Sequence, residues 1–130
     1  KDAKYPVWFP DEYAAWSWRA YHSSCTDLKI TGPRHAYSKI DGKWGGEGAC
    51  GLGYGGFLSA SETHVFSASV KGDYKKVLFH DGNKVLGETT GQPWSLPARK
   101  LEPGLRVLFA IGVKDDGSRS ASRPAIAIVK

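Results

Sequence analysis

The chain has 130 residues, long enough for one compact domain with a real core and too short for two ordinary ones. Hydrophobic residues make up 41% of it without a long apolar run, which argues against a membrane-spanning helix. The formal charge of +5 is spread over small groups (Lys75–Lys76, Arg99–Lys100, Arg119 to Arg123) and forms no basic stripe with interleaved aromatics, so a nucleic-acid groove is not expected, whereas an acidic polysaccharide suits the same electrostatics.

Lys1-Asp2-Ala3-Lys4 is followed by aromatics and prolines and not by a signal-peptide pattern, so the chain reads as mature or as excised from a larger protein. Residues 1–24 hold Tyr5, Trp8, Phe9, Tyr13, Trp16, Trp18 and Tyr21, nearly half of all the aromatics. Pro10-Asp11-Glu12 has the chemistry of a helix start, with proline in the first turn and carboxylates at the positive end of the dipole. From there two periods fit. As a helix, Tyr13, Trp16 and Ala20 share a face; as a strand, Trp16, Trp18 and Ala20 do. Ala14-Ala15 and the acidic first turn favour the helix.

Asp27 to Thr31 alternates like a short strand and stops at Gly32-Pro33. The next segment is glycine-rich, with half of the chain's glycines between Gly42 and Gly56, and is expected to form a long loop over residues 32–60. Gly51-Leu52-Gly53-Tyr54-Gly55-Gly56 is no phosphate loop: the preceding strand, following helix and Lys-Ser/Thr pair are all missing. Glycine there either lets Trp44, Tyr54 and Phe57 project from a tight loop or marks a bent strand passing close to a neighbour.

From Thr63 to Lys130 short apolar runs succeed one another: His64–Val70, Lys76–His80, Lys84–Gly87, Leu105–Val113 and Ala125–Val129. Between them lie Lys71-Gly72-Asp73, Asp81-Gly82-Asn83, Glu102-Pro103-Gly104 and Asp115-Asp116-Gly117-Ser118, all rich in turn residues. That spacing is the mark of an antiparallel sandwich or barrel.

The run Val77 to Thr90, then Gln92-Pro93-Trp94-Ser95, Leu101 to Val107 and Asp115 to Ser118, resembles the bacterial immunoglobulin-like domains appended to secreted enzymes and surface proteins, over residues 63–130, with Asp27 to Thr31 resembling their first strand and extending the match back to 26. The resemblance implies a sandwich, an extracellular location and a role as spacer, stabiliser or glycan-binding accessory; the insertion of about thirty residues before Thr63 departs from the pattern. Matching the chain to those modules places Phe66, Ala68, Val77, Phe79, Leu108, Ala110, Ala125 and Ala127 inside. Leu78, Val107, Phe109, Ile111, Val113, Ile126 and Ile128 then fall on the opposite face, where a sheet facing water would present polar side chains. Tyr13, Trp16, Trp18 and their neighbours are the expected cover.

In an exported protein Cys25 and Cys50, flanking the glycine-rich excursion, are expected to be bridged; two separate buried thiols are the alternative. His22, His35, His64 and His80 lack metal spacing, no Gly-x-Ser-x-Gly turn supports a Ser/His/Asp set, and a carboxylate pair such as Asp11 with Glu47 is the remaining enzymatic option. Sugar-binding modules stack pyranose faces on Trp and Tyr rings. Trp44, Tyr54, Trp94 and Trp8 are the candidate platforms, whereas Trp16 and Trp18 read as core.

The sequence thus points to an all-β immunoglobulin-like antiparallel β-sandwich (26–130) with an aromatic N-terminal extension (1–25), in part a short helix, packed on it as one domain. Its function reads as a non-catalytic accessory module of a secreted bacterial protein, without cofactor or metal, contacting a polysaccharide or cell-surface glycan or acting as a spacer. The competing readings are a small secreted enzyme acting on polysaccharide and a protein-interaction module or adhesin.

Overall fold

The computed structural model describes residues 9–13, 15–16, 28–34, 39–40, 43–44, 47–48, 51–52 and 54–130. The described strands are β1 (Leu28–Gly32), β2 (Lys39–Ile40), β3 (Lys43–Trp44), β4 (Glu47–Gly48), β5 (Gly51–Leu52), β6 (Tyr54–Leu58), β7 (Ser67–Val70), β8 (Tyr74–Asp81), β9 (Lys84–Thr89), β10 (Gly104–Lys114), β11 (Arg119–Ala121) and β12 (Ala125–Val129). The fold is an all-β immunoglobulin-like sandwich.

One layer is a six-stranded sheet in the order β6-β12-β10-β8-β9, with β11 also on β10. The other consists of β1 on β7, joined by an irregular strand that the sequence did not reveal. There, Ala68 N–H donates to Trp94 C=O at 2.9 Å, Leu96 N–H to Phe66 C=O at 2.9 Å, and His64 and Arg99 exchange backbone bonds of 2.7 and 3.0 Å. Two prolines, Pro93 and Pro97, and the absence of alternation between Gln92 and Arg99 hide that strand from periodicity.

The predicted turns fall where glycine chemistry put them. Gly72, Gly82, Gly104 and Gly117 all have positive φ, and Gly82-Asn83 closes the two-residue hairpin between Asp81 and Lys84. Arg106 reaches the carboxylates of Asp81 and Glu102 at 3.5 and 3.4 Å beside that hairpin. Burial nevertheless raises the Asp81 carboxyl above its ordinary value, more than the Arg106 charge lowers it.

The long loop expected over 32–60 needs correction. The described backbone there carries two short antiparallel pairs, β2 with β3 and β4 with β5, and then β6, which joins the main sheet. β6 runs parallel to β12 with Ile126 opposite Tyr54 and Val129 opposite Leu58. Glycines contribute no side-chain periodicity, so a strand stabilised through its backbone bonds to β12 leaves little trace in the sequence. The first strand is thereby divided: β1 pairs within one layer, β6 within the other, and the excursion 33–53 connects them.

Between the layers Leu28, Ile30, Leu58, Phe66, Val77, Phe79, Leu96, Leu101, Leu108, Ala110, Ala125, Ala127 and Val129 form the buried core, with Ala68 partly buried against it. The strand phase implied by the family resemblance is therefore the one observed. Gly112 continues the inner face of β10, and a Cβ there would lie 2.6 Å from the Tyr74 ring, so this position is glycine because an aromatic ring crosses it.

The centre of the outer face of the six-stranded sheet is also buried, while Val85 and Leu105 at its margin are exposed. Leu78, Val107, Phe109, Ile111, Val113 and Ala121 form a second cluster with Tyr13, and Phe9, Trp16 and Ile126 pack against it. The covering segment starts as predicted: Tyr13 N–H donates to Pro10 C=O at 3.0 Å and Trp16 N–H to Glu12 C=O at 3.2 Å, giving a helical turn at Tyr13, Ala15 and Trp16. Trp18 lies outside the described residues.

Candidate functional site

Trp94 stands where the irregular strand begins. Thr89 Oγ1–H donates to Gly91 C=O at 3.2 Å, Ser95 N–H to Pro93 C=O at 2.9 Å, and Trp94 C=O accepts from Ala68 N–H. These bonds fix the loop 91–94 at the end of the sandwich. Trp94 is half-buried and packs against the inner core, while Gln92 and Pro93 are exposed. With Ala68, Ser69 and Val70 they line an open cleft of about 590 Å³. One aromatic ring and one amide on a fixed loop, with the Ser69 hydroxyl on the adjoining β7, are the chemistry of a sugar subsite: an apolar face for the pyranose and polar groups for its hydroxyls.

Of the four platforms expected from the sequence, the described side chains place only Trp94 at a cleft. Trp44 and Tyr54 contribute backbone to β3 and β6. Trp8, Cys25 and Cys50 lie outside the described residues, and with them the expected bridge. The expectation that Trp94 stands outside the regular strands and partly exposed agrees with its position, although its ring also serves the core. Gln92 and Ser69 are cleft residues that sequence reasoning missed. Pro93 between Gln92 and Trp94 was the available signal for a fixed loop, but Ser69 reaches the cleft only through strand pairing.

A second cleft, of about 510 Å³, opens at the other end of the sandwich between Thr31–Arg34 and Thr63–Val65. Its polar groups are engaged in holding the wall together. Thr31 and Ser67 hydroxyls are 3.0 Å apart, the Arg34 guanidinium donates through Nε to Thr31 C=O at 2.8 Å, and a His64 ring nitrogen lies 2.8 Å from Ser59 C=O. The other described histidine, His80, is buried against Phe109 on the outer face with Nδ1 3.2 Å from Gly82 C=O. Among the described residues no group of His, Cys, Asp and Glu suits a metal ion, and no helix is long and apolar enough to cross a membrane.

The chain is similar in structure to a chain from "Structures of Clostridium thermocellum CbhA fibronectin(III)-like modules", with a TM-score of 0.59 and 23% identity, covering 79% of this chain and 94% of that one. The likeness shows a fold of the fibronectin(III)-like, immunoglobulin-like kind. No protein-family model and no curated protein matches the sequence.

Proposed function

We propose that this chain is a non-catalytic accessory module of a larger, secreted bacterial protein, and that it contacts polysaccharide through the Trp94 cleft. The observation that carries the reading is the fixed 91–94 loop, which sets the Trp94 ring and the Gln92 amide beside Ser69 of β7 around one open cleft. The likeness to modules described as fibronectin(III)-like parts of CbhA supports the modular role. The commitment of the His64 and His80 rings to backbone contacts and packing supports a binding role over an enzymatic one.

Affinity electrophoresis through gels containing soluble polysaccharides tests it. The wild type should be retarded in at least one gel, and Trp94→Ala and Gln92→Ala should each reduce that retardation, with aromatic stacking worth about 1–3 kcal/mol by analogy with base stacking. Circular dichroism controls for the core contacts of Trp94, and Gln92, which is exposed, provides a variant free of that concern. A wild type that migrates unretarded through every gel, or two folded variants that migrate like it, would remove the cleft from consideration.

A further inference from the structure

The outer face holds a titratable group that neither the fold nor the cleft requires. His80 lies in β8 directly opposite Phe109 of β10 and Val85 of β9, on the face turned away from the inner core. An imidazole at such a position would ordinarily be wet, yet His80 is 4% exposed. Its ring stacks on Phe109 at 4.8 Å with an interplanar angle of 18°. Phe109 in turn carries the covering segment: Tyr13 packs edge-on against it at 4.7 Å and Phe9 at 5.3 Å, with Phe9 and Tyr13 themselves 4.3 Å apart. The series His80, Phe109, Tyr13 and Phe9 is thus one continuous stack from the sheet to the N-terminal segment.

The charges around that stack matter for its response to acid. On the elements about it stand Lys76 and Asp81 of β8, Lys84 and Glu88 of β9, Arg106 of β10, Arg119 of β11, and Asp11 and Glu12 of the covering segment. Asp81 faces Arg106 and Glu88 faces Lys76, at 3.5 Å in both cases, while Asp11 and Glu12 are exposed. Arg119 is the charge whose field acts on the imidazole, and it is a cation. The same guanidinium lies 5.5 Å from the Trp16 ring, so it also belongs to the seam between segment and sheet. A proton on His80 would therefore meet burial, an aromatic neighbour and a like charge, with the Gly82 carbonyl as its compensating contact.

We propose that His80 makes the covering segment an acid-released latch: in its neutral form it supports the Phe109–Tyr13–Phe9 stack, and its protonation loosens the segment and uncovers the apolar face of β10. Burial, with a smaller contribution from Arg119, holds the imidazole below its ordinary value against the opposing pull of the Gly82 carbonyl. The sign follows directly. The released state takes up the proton near the ordinary histidine value of about 6.5, the closed state only at lower pH, so acidification favours release as pH falls below that value. One proton limits the effect to about tenfold in the closed-to-released ratio per pH unit. Opening of the segment is a smaller event than unfolding, because the inner core and the ladders of β10 do not depend on it.

Hydrogen–deuterium exchange of the full chain at pH 7.5 and pH 5, corrected for the chemical exchange rate, reads the latch. In the wild type the amides of Tyr13, Ala15 and Trp16 should lose about tenfold or more of their protection at pH 5, while the amides of β10 and β8 keep theirs. In His80→Gln, and in His80→Phe as the variant that retains a ring in the stack, segment protection should be the same at both pH values. Three results overturn the proposal: unchanged segment protection in the wild type, an equal loss in folded His80 variants, or a simultaneous loss in β10 that marks global unfolding. Titration of the wild-type His80 ring by NMR stands apart from any variant, and a midpoint at or above the ordinary histidine value would also refute it.

Discussion

From Val107 to Val113 the two faces of β10 are both dry, and they are kept dry in different ways. Inward, Leu108, Ala110 and Gly112 are small or medium-sized because Phe66, Phe79 and Tyr74 fill the space between two sheets that stand about 10 Å apart. Outward, Val107, Phe109, Ile111 and Val113 are covered, among the described residues, by one segment that contributes three rings and a helical turn. The inner seal is made by hydrogen-bonded strands on both sides. The outer one rests on side-chain packing, the cation–π contact of Arg119 with Trp16 and a bond from the Tyr13 hydroxyl to Ser122 C=O at 2.8 Å. A face sealed by ladders opens only with the whole fold, whereas a face sealed by side chains has an opening of its own.

The largest test of this contrast is Phe79→Ala, which removes a fully buried ring from the inner core. It should cost about 3–5 kcal/mol in urea denaturation and lower the stability of the entire sandwich. A loss confined to the segment 9–16 would mean that the inner core is not the common foundation of both faces.

Removing residues 1–16 should cost less, about 2–4 kcal/mol, because Tyr13 is buried but Phe9 and Trp16 only partly so. The shortened chain should keep its β-sheet circular dichroism and self-associate through the uncovered face of β10, as sedimentation would show. If it stays monomeric and as stable as the full chain, the segment is an appendage and the outer face has another cover. That outcome would overturn the proposal that the aromatic extension and the sandwich form one domain.

The smallest effect is expected from Tyr13→Phe, which keeps the ring and deletes the hydroxyl. The break between β11 and β12 occurs at Ser122-Arg123-Pro124, where Pro124 has no N–H for the ladder. Ser122 repairs part of it: its N–H donates to Ala110 C=O at 2.8 Å and its Oγ accepts from Ala110 N–H at 2.9 Å. Its own carbonyl is satisfied by Tyr13. Loss of that bond should cost about 1 kcal/mol and raise exchange in the segment more than in β10. Equal increases in both would show that the hydroxyl supports the sheet and not the cover.

The strands over 76–80, 84–87, 105–113 and 125–129 were legible because two signals agreed there, turn residues at each end and apolar runs of strand length. The covered outer face was legible for a related reason: a strand with apolar side chains in both phases cannot have a wet side. β6 was not, since glycine carries no phase, and β11 was not, since Arg119-Ser120-Ala121 acquires its strand character only by pairing with Val113, Gly112 and Ile111. The Trp94 cleft was half legible. Pro93-Trp94 announced a constrained ring, but Ser69 reaches it through the pairing of Ala68 with Trp94, and backbone pairing partners are invisible to local pattern.

By itself, then, the sequence determined the four strands over 76–80, 84–87, 105–113 and 125–129, where they turn, and that one sheet carries apolar side chains in both phases, because these follow from side-chain size, alternation and the φ each turn needs. The tertiary structure decided that the first strand is divided between the two layers, that Tyr13 satisfies the Ser122 carbonyl at the break between β11 and β12, and that the His80 ring stacks on Phe109. Each of these depends on a backbone or ring contact between residues distant in the chain, and such contacts leave no periodic trace in either partner.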